Sequence, residues 1–391
     1  MSQPTERQSR AERLRRLAET GRDTDMGRLL RSFWQPITLS SRVEKGRTLP
    51  LTIMGQELML YRGESGRAYL VDARCAHRRT HLHTGWVEGE QIRCIYHGWR
   101  YDGTGQCTEM PAEKNIKPAQ IKIGGYPLNE YCGLVFAYLG EGVAPPFELP
   151  RKGVFEREGC LVIAREQTWP TNWLQQVENS LDAVHVSFVH QAGKVGPFGA
   201  AVTATVPDLE YQETNAGIRQ IATRGPGNVR ISDWTFPNNN HIIVPNSNIG
   251  DPWVDIGIWN VPVDDMATSR MQLFALPVAP DSPAGKRYIE EHRLYADYDP
   301  VANHEALFRD RKFPAESPLA LTPAQDYLAI MGQGRSVDRS AEFLGESDAG
   351  IVLLRRLLSR EMDALREGRP AKSWKPLGHD ADMHAPRPAA E

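Results

Sequence analysis

The sequence predicts an α+β protein of two domains, a small all-β domain followed by a large antiparallel sheet flanked by helices. Three observations lead there. Between Phe33 and Pro150 the chain runs in short apolar stretches broken by Gly, as in LTIMGQELMLYRGESGRAYLVD and CIYHGWRYDGTGQC, the texture of a meander of short strands. From about 200 to 280 apolar and polar residues alternate, as in IRQIATR and MQLFALPV, with the period of strands. Helical spacing appears at both ends and between Thr171 and His190. With 391 residues, 40% of them hydrophobic and 24% charged, the chain is long and apolar enough for two cores.

In chain order, residues 1–33 carry Leu14, Leu17, Met26, Leu29 and Leu30 among Arg and Glu and predict helices that pack on the larger domain. The five arginines between Arg7 and Arg16 read as their solvated face. Residues 34–150 form the β domain, with turns marked by Arg62-Gly63, Asp102-Gly103 and Thr104-Gly105. Its end, Val143 to Pro150, is Pro-rich and predicts a linker, because proline supplies neither ladder donors nor helix continuity. Residues 151–391 form the larger domain. There TNWLQQVENSLDAVHVSFVH, Thr171 to His190, reads as one helix or two abutting ones. DAGIVLLRRLLSREMDALREG, Asp348 to Gly368, reads as a helix before a polar, Pro-containing tail.

Lys plus Arg number 46 against 49 Asp plus Glu, a net charge of −3, which offers no global basic field for nucleic acid. No apolar run approaches the ~20 residues of a membrane span, and the N-terminus is too charged for a secretory signal, so the expectation is a soluble cytoplasmic protein. Five cysteines, an odd number, do not resemble a disulfide framework and direct attention to metal binding or catalysis.

The segment DARCAHRRTHLHTGWVEGEQIRCIYHGWRYDG sets Cys75-x-His77 and Cys94-x-x-His97 on two hairpin-like loops. Structural zinc is one alternative, but it usually draws like pairs of ligands. One sulfur and one nitrogen from each loop suit a [2Fe–2S] cluster with two thiolates on one iron and two imidazoles on the other. His81 and His83 lie in the same loop, and only the Cys-x-His spacing favours His77 over them. Cys107, Cys132 and Cys160 lack such a partner and read as small buried hydrophobes.

A second group is Asp182, His185 and His190. Five residues of helix turn through about 500°, so two imidazoles at that spacing diverge by roughly 140° and can share a metal only where the helix breaks or bulges. Asp182, three residues before His185, would lie on the same helical face and accept the imidazole's second N–H, fixing its tautomer. Two histidines and a carboxylate with open positions describe a non-haem Fe(II) facial triad.

Together, C-x-H…C-x-x-H-G-W and E-N-x-x-D-x-x-H-x-x-x-x-H resemble the α subunit of Rieske non-haem iron oxygenases, and WVEGEQIRCIYHGWRYDGTGQC and VDRSAEFLGESDAGIVLLRR are similar to the phthalate-dioxygenase-like group. The resemblance implies that Cys75 and Cys94 hold one iron of the Rieske cluster and His77 and His97 the other. It implies His185, His190 and a C-terminal aspartate as ligands of the mononuclear iron; Asp326 in LTPAQDYLAIMGQG matches that place, with Asp338 and Asp348 as rivals. It gives Asp182 the role of a bridge to a cluster histidine across a subunit boundary, in a head-to-tail homotrimer or a stacked hexamer, and places Asn179 near the iron. The implied partners are O₂, a small aromatic substrate and an NAD(P)H-dependent reductase of flavin and ferredoxin type. One departure is visible: where the family commonly has C-x-H-R-G, this chain has Arg79, which predicts that the loop needs no glycine conformation; a more basic docking surface for an acidic ferredoxin-like partner is one reading of it and a solvated arginine the plainer one.

The expected reaction is dihydroxylation or monooxygenation and O-demethylation of an aromatic substrate, with an aromatic carboxylate as the expected class. A quaternary amine or alkaloid substrate, or a pure Rieske electron carrier, are the alternatives; the ~240 residues after Pro150 argue against the carrier. The sheet between Thr205 and Leu276, with Trp234, Phe236, Trp253, Trp259 and Phe274, is the expected pocket wall. Arg270 is the candidate anchor for a carboxylate, with a surface salt bridge as the plainer alternative, and His241 a candidate polar contact.

Overall fold

The computed structural model describes residues 6–149, 153–190, 205–246, 248, 250–296, 298–314 and 318–372. The end of the expected linker at Pro150, the first alternating residues before 205 and the tail after 372 lie outside them. The chain opens with α1 (Glu6–Ala18) and α2 (Asp25–Arg31), the second started by Thr24, whose side chain accepts from Gly27 N. Met26, Leu29 and Leu30 of α2 are buried in the main core with Leu354, Leu357 and Leu358 from the C-terminal helix.

Eleven short strands follow: β1 (Gln35–Leu39), β2 (Thr48–Ile53), β3 (Gln56–Arg62), β4 (Ala68–Asp72), β5 (Trp86–Glu88), β6 (Gln91–Arg93), β7 (Arg100–Tyr101), β8 (Cys107–Glu109), β9 (Gly125–Tyr126), β10 (Leu128–Tyr131) and β11 (Leu134–Ala137). They form three antiparallel sheets, β1-β11-β10, β2-β3-β4-β9 and β5-β6-β7-β8. The loops β4–β5 and β6–β7 carry the two Cys/His pairs and rest on a core of their own that includes Met59, Tyr61, Leu82, Ile92 and Trp99.

The larger part is a seven-stranded antiparallel sheet in the order β12-β18-β17-β16-β15-β14-β13, where β12 is Leu161–Trp169, β13 Asp208–Glu213, β14 Gly217–Thr223, β15 Val229–Thr235, β16 Asn239–Val244, β17 Val254–Asp264 and β18 Ala267–Leu276. The helices are α3 (Trp173–Leu181), α4 (His185–Val189), α5 (Pro283–Ala296), α6 (His304–Phe308), α7 (Pro318–Gly332) and α8 (Ala349–Arg366). Register assigns the faces, because paired residues in a ladder point the same way and neighbours along a strand point oppositely. Arg270, Gln272 and Phe274 of β18 pair with Asn260, Ile258 and Ile256, and Asn240 pairs with Ile258, so these share one face. Asn240 and Gln220 on that face donate to the carbonyls of Ser180 and Leu181, docking the end of α3 there.

The opposite face meets the β domain: Trp259 packs edge to face on Phe136 of β11 at 5.7 Å. Both faces are therefore covered, which is why β18 is buried along nearly its whole length instead of alternating. Among the described residues no helix is long and apolar enough to cross a membrane.

Candidate functional site

The two Cys/His loops are near copies in backbone geometry. Arg79 N donates to Cys75 O and Gly98 N to Cys94 O, both at 3.1 Å; Cys75 N then bonds Thr80 O and Cys94 N bonds Trp99 O, both at 2.9 Å. Each turn needs a left-handed residue at its fifth position, Gly98 at φ 73° and Arg79 at φ 60°. This corrects the expectation that Arg79 frees the loop from a glycine conformation: the conformation is retained, and an L side chain is held in it.

The thiols of Cys75 and Cys94 are buried and act on each other: the interaction with Cys94 draws Cys75 below the usual thiol range and pushes Cys94 above it. Tyr101 Oη accepts from Ala76 N at 3.1 Å and lies 3.2 Å from Cys75 Sγ, placed to donate to it. The His77 and His97 rings sit 4.4 Å apart, with Trp99 stacked on His77 at 4.7 Å. Among the described residues His77 Nδ1 is buried with no hydrogen-bond partner, which fits a nitrogen reserved for a metal, although His81 Nδ1 and His83 Nδ1 share that state. Donor chemistry and the orphaned nitrogen both fit a Rieske cluster. His81 and His83 pack on each other at 5.2 Å; of the remaining cysteines Cys107 is buried as expected, whereas Cys132 and Cys160 are only half-buried.

The second site forms where the Thr171–His190 segment breaks. α3 ends at Leu181, Asp182 takes an extended conformation (φ −93°, ψ 115°), and α4 starts at His185. Asp182 is thus not on the helical face of His185. It sits at the break, where Oδ1 accepts from Val184 N at 2.8 Å and His185 N at 3.3 Å, and Oδ2 faces His185 Nδ1 at 3.7 Å. His190 is the cap of the five-residue α4, and the turn-like φ −90°, ψ 0° there brings its ring to 5.4 Å from that of His185. Asp326, from the middle of α7, completes the group: its Oδ1 lies 3.5 Å from His185 Nε2 and 3.3 Å from His190 Nε2.

One ligand atom from each of the three residues lies within 4.8 Å of the others, the spacing of a metal site. Burial alone would disfavour charge on His185, yet Asp182 and Asp326 push it up to about 9; burial would likewise raise Asp326, but the two histidines hold it well below the usual carboxylate range. A buried carboxylate thus waits for a cation. The rivals Asp338 and Asp348 cap Ser340 N and Gly345 N. Asn179 contributes its carbonyl to Asp182 N at 3.2 Å, and its side chain makes no hydrogen bond among the described residues.

Of the substrate candidates, Arg270 and Phe274 lie on the helix-covered face and His241 does not. His241 pairs with Gly257, which pairs with Leu273, so its ring points to the opposite face, 3.2 Å from Asp255 and edge-on to Phe155. Alternation along a strand decides this, and a shift of one position would have reversed it. Trp259 shares the wrong face, where it packs on the β domain.

Arg270 is 6% exposed, which removes the surface salt bridge as an explanation. Its guanidinium lies 4.0 Å over the Trp169 ring, its Nε and Nη1 have no hydrogen-bond partner among the described residues, and the carboxylate that acts on it is that of Asp326. Arg165 on the neighbouring strand β12, equally buried and unmentioned by any sequence motif, stacks 3.1 Å over Tyr295 with its Nε also unpartnered.

Residues 33–126 match the family described as Rieske [2Fe-2S] domain, and residues 137–382 the family described as LigXa C-terminal domain like. The chain is 32% identical to the 5,5'-dehydrodivanillate O-demethylase oxygenase subunit of a Sphingobium species over 93% of its length and 82% of the relative's. It is 28% identical to the phthalate 4,5-dioxygenase oxygenase subunit of Pseudomonas putida over 89% and 85%. In structure it is similar to NdmA of Pseudomonas putida CBB5 (TM-score 0.65, 20% identity, 86% of this chain and 92% of that one) and to the oxygenase in a ferredoxin complex of carbazole 1,9a-dioxygenase (TM-score 0.64, 19% identity, 91% and 97%). These matches cover both domains, and with the two donor sets they place the chain among the Rieske non-haem iron oxygenases, as an oxygenase α subunit of the phthalate and dehydrodivanillate type that uses a [2Fe–2S] cluster and a mononuclear iron.

Proposed function

We propose that this oxygenase acts on an aromatic carboxylate, with Cys75, His77, Cys94 and His97 holding the cluster and His185, His190 and Asp326 the mononuclear iron. Loaded, the two centres would supply a one-electron store and open coordination positions for O₂. The work of the chain's own residues is to bind, orient and connect. Arg270 receives the carboxylate in two-point fashion from unpartnered N–H groups, and Trp169 fixes the plane of its fork. Phe274, buried on the same face, supplies an apolar wall. Asp182 orients His185 and reaches from it to His77 or His97 of the partner subunit in a head-to-tail ring; Asn179 holds Asp182 in place through its backbone. Electrons enter from a reductase of flavin and ferredoxin type; the surface beside His97, where Arg78 lies 5.2 Å over the half-exposed Tyr96, is where it would dock.

The observation that carries the substrate reading is a pair of buried guanidiniums, Arg270 and Arg165, on the iron-side face of the sheet; Arg165 donates to Tyr295 O, and among the described residues no carboxylate is paired to either. Buried charges are normally paired, so the face is complementary to an anion. The same arginines disfavour a quaternary amine, and the relatives named for phthalate and dehydrodivanillate support an aromatic acid.

The test is turnover with a surrogate reductase against aromatic acids, their methyl esters and neutral aryl ethers, read by mass spectrometry. Acids should be preferred, and Arg270→Met should raise their KM by about 10–100-fold while leaving esters unaffected, since a charged hydrogen bond is worth ~1.5–3 kcal/mol. Equal use of acids and esters by the wild type would overturn the reading.

A further inference from the structure

The triad histidines are supported differently, and the difference points to a residue that no motif singled out. His185 has the carboxylate of Asp182 on its Nδ1 side. His190 has a neutral amide: Gln325 Oε1 lies 3.0 Å from His190 Nδ1, with both residues almost fully buried. We propose that Gln325 is the positioning residue of the mononuclear iron site, an acceptor that fixes His190 in the tautomer whose Nε2 is left for the metal. This rests on the reading of His185, His190 and Asp326 as iron ligands.

Three observations support it. An amide oxygen only accepts, so the ring nitrogen facing it carries the proton and Nε2 holds the lone pair, on the side of Asp326, 3.3 Å away. The opposite arrangement, with the amide NH₂ toward the ring, would move the ring proton to Nε2, against Asp326 and into the metal's place. Second, Gln325 and Asp326 are consecutive residues of α7, whose side chains diverge by about 100°. One therefore grips the Nδ1 side of His190 and the other its Nε2 side, so a single helix delivers both the carboxylate ligand and the support of a histidine ligand. Third, the amide nitrogen of Gln325 is buried without a hydrogen-bond partner among the described residues. That orphaned donor costs stability, and an apolar side chain of the same length would remove the cost. Packing alone does not account for an amide here, whereas the bond to His190 does.

Partners of metal-bound histidines typically change metal affinity by about 10–100-fold when removed. Fe(II) titration of the full-length protein with its cluster intact, with thermal unfolding and cluster absorbance recorded in parallel, separates positioning from folding. Gln325→Met should weaken Fe(II) binding about 10–100-fold with an unchanged or raised Tm and unchanged cluster absorbance. Gln325→Glu, which retains an acceptor, should bind within a few-fold of wild type. His185→Ala is the control for the site itself and should abolish binding. Gln325→Met binding Fe(II) as tightly as wild type, while His185→Ala does not, overturns the role of Gln325 alone. If His185→Ala also binds normally, the ligand set is wrong and the proposal falls with it.

Discussion

Arg79 shows how much of the site a single residue can hide. The sequence displays an arginine where a glycine would announce a left-handed turn, and the natural expectation is that the turn has changed. The loop instead retains φ 60° there, because Cys75 and His77 are held in place only if the fifth residue closes back on Cys75 O, as Gly98 does in the sister loop. An L residue in that conformation costs about 1–2 kcal/mol, so Arg79→Gly should stabilise the β domain by ~1 kcal/mol, read as a rise in the urea midpoint with unchanged slope. A destabilised Arg79→Gly protein would mean that the Arg79 side chain holds the loop more than its backbone strains it.

Local spacing made much of the chemistry legible: Cys75-x-His77, Cys94-x-x-His97 and the Asp182, His185, His190 run are each carried by one short segment. Side-chain roles that depend on distant partners were not. His241 needed the strand register, Arg165 the stacking on Tyr295, and Gln325 the approach of α7 to His190.

Among the elements, α3 is the one whose ending matters most. A continuous helix would turn His185 and His190 apart by roughly 140°; the end of α4 at Val189 and the cap conformation of His190 bring the rings to 5.4 Å, while the break at Asp182, ahead of both, sets where α4 starts. The sequence offers both readings of Thr171–His190, and tertiary packing decides between them. The end of α3 is tied to the sheet by Gln220 and Asn240, and its outer side is tied by Glu178, which receives Arg355 of α8 at 2.7 Å and Arg339 at 3.1 Å. Both arginines are nearly buried, and Glu178→Gln leaves the two of them with the single carboxylate of Glu342, which pairs with Arg355 at 2.7 Å and lies 4.0 Å from Arg339. It should cost about 3 kcal/mol in chemical denaturation, the usual penalty for breaking a buried pair. A loss under about 0.5 kcal/mol, typical of exposed pairs, would show that α3 is held by its apolar face instead.

The sheet itself is a partial success of pattern reading. Alternation identifies β14 and β18 as strands, but β12, at the edge beside β18, comes from sequence more than a hundred residues earlier and has no local signal for its partner. The burial of β18 on both faces is equally a tertiary fact, and it blurs the alternation that strand would otherwise show.

For the whole molecule, motif order sets the two Cys/His pairs ahead of the Asp182, His185, His190 run, and the matched families cover residues 33–126 and 137–382. What joins the two metal sites is not legible in the sequence. Asp182 lies beside His185 with one carboxylate oxygen spent on the α4 backbone and the other turned to the imidazole, and in our account it is completed by a neighbouring copy. Subunit mixing tests this most directly. One chain is disabled in the cluster by Cys94→Ser, the other in the iron site by His185→Ala, and the two are co-expressed in equal amounts and assayed with reductase and substrate. Each homo-oligomer should be inactive, while the mixture should regain about a quarter of the wild-type rate, the chance that an intact iron site meets an intact cluster across a head-to-tail interface. A mixture verified as mixed oligomers yet as inactive as its parents would contradict the account, because each chain would then have to serve its own iron.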